Sequence, residues 1–273
     1  MLAQSVKCNR RMTTDKMLAR KDKHIGWLTF NNPARYNAVS LEMWEGLAHI
    51  AHQFTADPDI RVVVVQGAGG KAFVSGADIS EFENQRNSAE AETHYNAVSA
   101  KGMHALKNIN KPTIAMIQGY CIGGGVGVAL NCDIRIASDN SKFAVPAARL
   151  GLGYEYEGVR KLVDVVGPSF AQEIFFTARQ FSASEAMGMG LINRMVAADA
   201  LEQYVQQYAE MIASNAPMTV ASIKTLVGEI VKDEAKRNMD LCEKVVAACF
   251  NSEDFKEGRT AFMAKRKPVF KGK

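Results

Sequence analysis

The residues in this chain best placed to do chemistry are glycines. Gly119, Gly123, Gly124, Gly125 and Gly127 crowd the junction between an apolar run, Thr113 to Gln118, and a segment carrying Val126, Val128, Ala129 and Leu130. A buried strand that runs into glycines and then into a helix brings its main chain close to a neighbour and leaves N–H groups free at the helix start. Two phosphate-loop readings fail: no Lys-Ser/Thr pair follows, and no ribose-binding acid stands about twenty residues beyond the triple glycine. Two readings stay open, amides aimed at a developing oxyanion or tight packing of a helix on a strand. A second turn, Phe73-Val74-Ser75-Gly76-Ala77-Asp78-Ile79, again sets a glycine among small residues after a buried strand. Ser75 lacks the G-x-S-x-G elbow of a hydrolase. His49 and His52, with Glu45 on the same helix, lack a third ligand and read as surface residues, so no metal is expected. Asp78 and Asp133 sit at turn or strand boundaries, where a carboxylate ordinarily bonds the backbone.

The elements that must hold these turns can be read from the apolar pattern. A strand is expected from His24 to Phe30, ended by Asn31, Asn32 and Pro33, and a helix after Ser40, its N-cap, with Leu41, Trp44, Leu47, Ala48 and Ala51 at helical spacing. Ile60 to Gln66 contains four consecutive valines, as a strand buried on both faces does. Thr113 to Gln118 repeats that plan, a helix begins near Gly124, and strands follow at Ile134 to Ala137 and near Phe143. Strand-then-helix units over the first two-thirds define an α/β class. From Ala200 the texture becomes helical, with periodic stretches at Leu201–Ala213, Met218–Val231, Met239–Phe250 and Asp254–Lys265. The expected organisation is an extension over residues 1–16, a core over 17–199, and a helical region over 200–273 that either joins a partner subunit or covers the core.

Composition narrows the function classes. The chain has 33 Lys+Arg against 29 Asp+Glu, a net charge of +4, with basic residues scattered apart from runs such as Lys265, Arg266 and Lys267. That is no nucleic-acid footprint. Cys8, Cys121, Cys132, Cys242 and Cys249 are odd in number and form no C-x-x-C pair, which points to a reducing compartment, and the cytoplasm is expected. The first fourteen residues carry Lys7, Arg10 and Arg11 and no acid, so a fragment of a mitochondrial transit sequence, hence the matrix, is the alternative. Met12 and Met17 as alternative starts favour a disordered extension instead. No apolar run reaches the roughly 18 residues of a membrane span.

Taken together, Lys71-Ala-Phe-Val-Ser-Gly-Ala-Asp-Ile-Ser-Glu-Phe82, Lys111-Pro-Thr-Ile-Ala-Met-Ile-Gln-Gly-Tyr-Cys-Ile-Gly-Gly-Gly125 and Asn131-Cys-Asp-Ile-Arg-Ile-Ala-Ser-Asp139 resemble the crotonase (enoyl-CoA hydratase/isomerase) superfamily. The likeness runs from about Ile25 to the closing Ala-Phe-Met-Ala-Lys-Arg-Lys267. It implies a spiral of ββα units with a helical C-terminal region, assembled as a homotrimer or a dimer of trimers, acting on an acyl-CoA thioester without a further cofactor. In such proteins an enolate oxygen is held by two N–H groups, which fall here on Ala77 and Gly124. Arg35 and Ala38, in the turn from Asn32 to Ala38, become candidate CoA contacts, as do Gly76, Asp78, Ile79 and Gly123 beside the two amides. Arg35 is equally readable as a solvated charge.

The reaction turns on carboxylates. Hydratases of this family use two glutamates, and read without gaps from the triple glycine those positions fall on Gly127 and Ala147, neither of which can move a proton. Moving a double bond from β,γ to α,β needs one acid, which takes a proton from C2 and returns it to C4. In Arg149-Leu-Gly-Leu-Gly-Tyr-Glu155-Tyr-Glu157-Gly158, Glu155 stands where isomerases of the superfamily carry their working acid. Leu152, Tyr154 and Tyr156 are expected to give it an apolar pocket. The bland role for Glu155 is to offset a helix dipole, and Glu157 is the spare, expected to be solvated. Other readings are hydration through an unusually placed Glu155 or Glu157, displacement on an aryl-CoA, or a non-catalytic CoA-binding scaffold.

Overall fold

A computed structural model describes residues 14–78 and 89–273. Along the chain run β1 (Met17–Asp22), β2 (Ile25–Phe30), α1 (Leu41–Ala56), β3 (Val62–Gly67), β4 (Ala72–Val74), α2 (Ala89–Lys107), β5 (Thr113–Ile117), β6 (Tyr120–Ile122), α3 (Gly124–Leu130), β7 (Ile134–Ser138), β8 (Lys142–Ala144), α4 (Tyr156–Thr177), β9 (Phe181–Ser182), α5 (Ala183–Gly188) and β10 (Arg194–Val196). Four helices close it: α6 (Leu201–Ala213), α7 (Pro217–Ile230), α8 (Met239–Phe250) and α9 (Glu253–Met263).

The strands form a six-stranded sheet, β1-β2-β3-β5-β7-β10, and a four-stranded one, β4-β6-β8-β9. Each is parallel except at one edge, where β1 runs against β2 and β9 against β8. Three successive turns, β3-β4-α2, β5-β6-α3 and β7-β8-α4, each give one strand to the large sheet and the next to the small one before a helix follows, which is the expected spiral of ββα units. The four valines show why β3 has no polar face. Val63 and Val65 pack with Leu28, Phe30 and the apolar stripe of α1, while Val62 and Val64 point the other way, onto Leu201, Val205 and Ala209 of α6. The first helix of the C-terminal region is therefore one wall of the core. Lys224 of α7 adds a tie, donating to Lys111 O at 2.9 Å and pairing with Asp133 at 2.8 Å.

Two local expectations needed correction. Ser40 does sit at the N-cap of α1, yet its hydroxyl makes no capping bond and is buried without a partner. The extension assigned to residues 1–16 ends earlier than drawn, since Thr14 is buried, Lys16 pairs with Glu42, and Met17 is wholly buried at the start of β1. Residues 1–13 lie outside the described residues.

Candidate active site

The small sheet brings the two glycine turns together. β4, β6 and β8 are parallel neighbours, with Val74 opposite Cys121 and Cys121 opposite Phe143. Ala77 lies three residues beyond Val74 and Gly124 three beyond Cys121, so both emerge at the same end of strands about 4.8 Å apart. Gly125 makes the close approach possible: a Cβ there would stand 2.0 Å from Val74 O, so only glycine lets α3 press onto β4. Gly76, at φ +110°, turns the first loop.

The amides are oriented by what surrounds them. Val39 N–H donates to Gly76 O at 2.8 Å and Asp78 N–H donates to Val39 O at 3.1 Å, a parallel bridge between Val39 and Ala77. Extended backbone alternates its N–H directions, so the Ala77 N–H is turned away from Val39. Gly124 opens α3, where an N–H has no acceptor inside the helix. Neither amide donates a hydrogen bond among the described residues. They are close, since a Cβ added at Gly124 would lie 3.9 Å from Ala77 N.

Both residues line a cavity of about 570 Å³ whose other walls include Trp44 of α1, Tyr95 and Met103 of α2, Gly127 and Leu130 of α3, and Glu155, Glu157 and Lys161 around the start of α4. The positions that lack hydratase glutamates are explicit here. Gly127 faces the cavity, and a Cβ on it would meet Met103 Cε at 3.0 Å, so a methionine already fills the adjoining space. Ala147 is buried in the core and is not on the cavity wall.

Glu155 does reach the wall. It occupies the N-cap of α4, and its carbonyl accepts from Gly158 and Val159 at 3.0 and 3.1 Å, but its carboxylate makes no capping bond. The side chain is thus not spent on the helix end. Of its expected apolar neighbours, Leu152 and Tyr154 line the cavity, Tyr154 meeting the Phe175 ring edge-on at 4.9 Å between centroids. Tyr156 does not: it is 74% exposed and points elsewhere. Glu157, expected to be merely solvated, is exposed but stands on the same wall.

The candidate CoA contacts flank the amides. Arg35 ends a 3-10 turn (Pro33–Arg35) and pairs with Asp78 at 3.0 Å, its own side chain half exposed and Asp78 nearly buried. Arg35 is therefore not a free solvated charge, and Asp78 holds a guanidinium in addition to any backbone role. Ala38 is buried beside Val39, and Ile79 lies outside the described residues. Asp133 behaves as expected, accepting from Thr113 N at 2.8 Å. Sequence reasoning missed Lys161, whose ammonium donates to Asn131 Oδ1 at 2.7 Å. Asn131 opens one of the motifs quoted above, so its place near the site had a signal, whereas nothing in the local sequence marks Lys161.

The fold agrees with the comparisons to known proteins. Residues 20–273 match the family model described as enoyl-CoA hydratase/isomerase. A short-chain-enoyl-CoA hydratase of Clostridium acetobutylicum is 32% identical over 256 residues, covering 94% of this chain and 97% of that protein. A carnitinyl-CoA dehydratase of Proteus mirabilis is 34% identical over 244 residues, covering 87% and 91%. Among solved structures, an enoyl-CoA hydratase/carnithine racemase from Magnetospirillum magneticum superposes with a TM-score of 0.89 at 36% identity, over 96% of this chain and 97% of that one. The chain belongs to the enoyl-CoA hydratase/isomerase family, within the crotonase superfamily.

Proposed function

We propose that this enzyme isomerises the double bond of an enoyl-CoA, with Glu155 as its single acid/base and the Ala77 and Gly124 amides holding the thioester oxygen. The observation that carries this reading is that an uncommitted carboxylate, Glu155, shares one cavity with two unpaired amides while the hydratase positions hold Gly127 and Ala147. In the forward step Glu155 takes the C2 proton of a 3-enoyl-CoA, and the electrons delocalise into the thioester oxygen as a dienolate. Returning the proton to C4 yields the 2-enoyl-CoA and restores the carboxylate. The amides act where charge develops, and loss of one such donor typically costs about 2.7–4 kcal/mol. Arg35, held by Asp78 beside the amides, is placed to meet CoA. The exposed Ile223, Val227, Ile230, Phe250 and Phe262 of the C-terminal helices support assembly of copies into a trimer or a dimer of trimers.

Glu157 on the same wall favours a second reading, hydration or dehydration by a Glu155–Glu157 pair, which the names of the relatives also suit. The two part in one assay. With 3-enoyl-CoA, isomerisation produces conjugated-thioester absorbance that Glu155→Gln abolishes; with 2-enoyl-CoA, hydration removes that absorbance and yields 3-hydroxyacyl-CoA. No rise with the first substrate, or a rise that survives Glu155→Gln, defeats the isomerase reading.

A further inference from the structure

Beyond Gly127 the cavity follows α3 to a polar end that the proposed proton transfer does not use. Lys161 is half-buried there, and its helical neighbour four residues back is Glu157, an arrangement that ordinarily forms a surface ion pair. It forms none. Lys161 instead turns to Asn131, which is buried and anchored in its turn by donating to Gly127 O at 2.8 Å. Lys107, at the end of α2, lines the same end, and neither lysine makes an ion pair among the described residues. An ammonium carries three donors, and Lys161 has committed one. Burial, and then the neighbouring Lys107 charge, push Lys161 below the ordinary lysine range, with Glu157 acting the other way. A half-buried Lys161 and an exposed Lys107, neither in an ion pair among the described residues although Glu157 lines the same cavity, make a poor lining for an alkyl tail, whose burial would strip water from them and return nothing.

We propose that this end of the cavity receives an anionic terminus of the acyl group, so that the preferred substrates are CoA thioesters of dicarboxylic acids, with Lys161 and Lys107 setting that specificity. The inference rests on the acyl-CoA reading of the site. The dimensions suit it: seven residues separate Gly124 from Asn131, about 10 Å along α3 at 1.5 Å per residue. After a hydrogen bond of about 2.9 Å at each end, that leaves about 5 Å between the two ends, room for a short diacid of about five carbons. A terminal carboxylate has two oxygens, one for each lysine, and such charge-assisted bonds are the strong ones in a partly dry site.

The test is calorimetric binding of saturated thioesters, glutaryl- and adipyl-CoA against pentanoyl- and hexanoyl-CoA, to the full-length protein. None of these can be isomerised or hydrated, so the result is independent of which reaction the enzyme performs. The dicarboxylic thioesters are expected to bind at least about tenfold tighter. Lys161→Met is expected to remove most of that preference while changing hexanoyl-CoA affinity less than about threefold, and Lys107→Met to remove a smaller part. Equal binding, tighter binding of the methyl-ended thioesters, or a preference that survives the double variant overturns the inference. If no thioester binds, the acyl-CoA reading itself falls and takes this inference with it. The wild-type comparison decides the matter even if a variant fails to fold.

Discussion

Ala77 and Gly124 face the cavity with main-chain groups fixed by the register of β4 and β6, whereas Glu155, Glu157 and Lys161 face it with side chains from the exposed junction at the start of α4. The first wall cannot change without disturbing the packing of α3 on β4, because Gly125 touches Val74 with its backbone. The second can be rewritten residue by residue at little cost to the fold. One side of the cavity therefore fixes the intermediate, an oxyanion next to two amides, and the other side selects what is done with it.

The difference predicts opposite responses to mutation. Gly125→Val, on the main-chain wall, forces a side chain into Val74 O and should cost roughly 4 kcal/mol or more of stability, seen as loss of the cooperative thermal transition. Glu155→Gln, on the other wall, should lower kcat by about 10²–10⁴ with stability changed by less than about 0.5 kcal/mol, since the carboxylate caps nothing. Gly124→Ala lies between: its Cβ finds its nearest neighbour at 3.8 Å, so the fold should hold. A methyl beside the Ala77 amide should nonetheless cut kcat/KM by roughly 10–100-fold.

A smaller effect sharpens the contrast, because Glu185 also stands at a helix start but is fully committed. It accepts from the Ser182 backbone N–H, pairs with Arg179 and closes a capping box, which holds its carboxyl down at about 2. A folded-state value below the ordinary 4.5 means its stabilisation is present above about pH 4.5 and is lost as pH falls towards about 2. Unfolding curves of Glu185→Gln should therefore show a flatter dependence on acid, with activity at neutral pH unchanged. Activity lost there, or stability lost in Glu155→Gln, would erase the distinction between the two glutamates.

The same division explains what was legible in the sequence. The valine run and the triple glycine carry their structural meaning locally, so β3 and the start of α3 could be read directly, and Leu201–Ala213 and Met239–Phe250 were placed to the residue, whereas the pairing of Ala77 with Gly124 came from the family resemblance of the two glycine turns and not from either turn alone. β1 and α2 went unread: β1 is largely exposed polar sequence, and α2 has few apolar residues at helical spacing. The side-chain wall was half legible. Glu155 followed from the family resemblance, but Glu157 on the cavity, Met103 against Gly127 and Lys161 turned to Asn131 depend on contacts between segments about thirty residues apart. Local pattern carries no record of such contacts.

The central claim is tested most directly by a crystal structure with a 3-enoyl-CoA analogue bound. It should place the thioester oxygen about 2.7–3.1 Å from both the Ala77 and Gly124 nitrogens, with a Glu155 carboxylate oxygen in contact with C2 and C4. A thioester oxygen bound away from those amides, or Glu157 rather than Glu155 over C2 and C4, would contradict it.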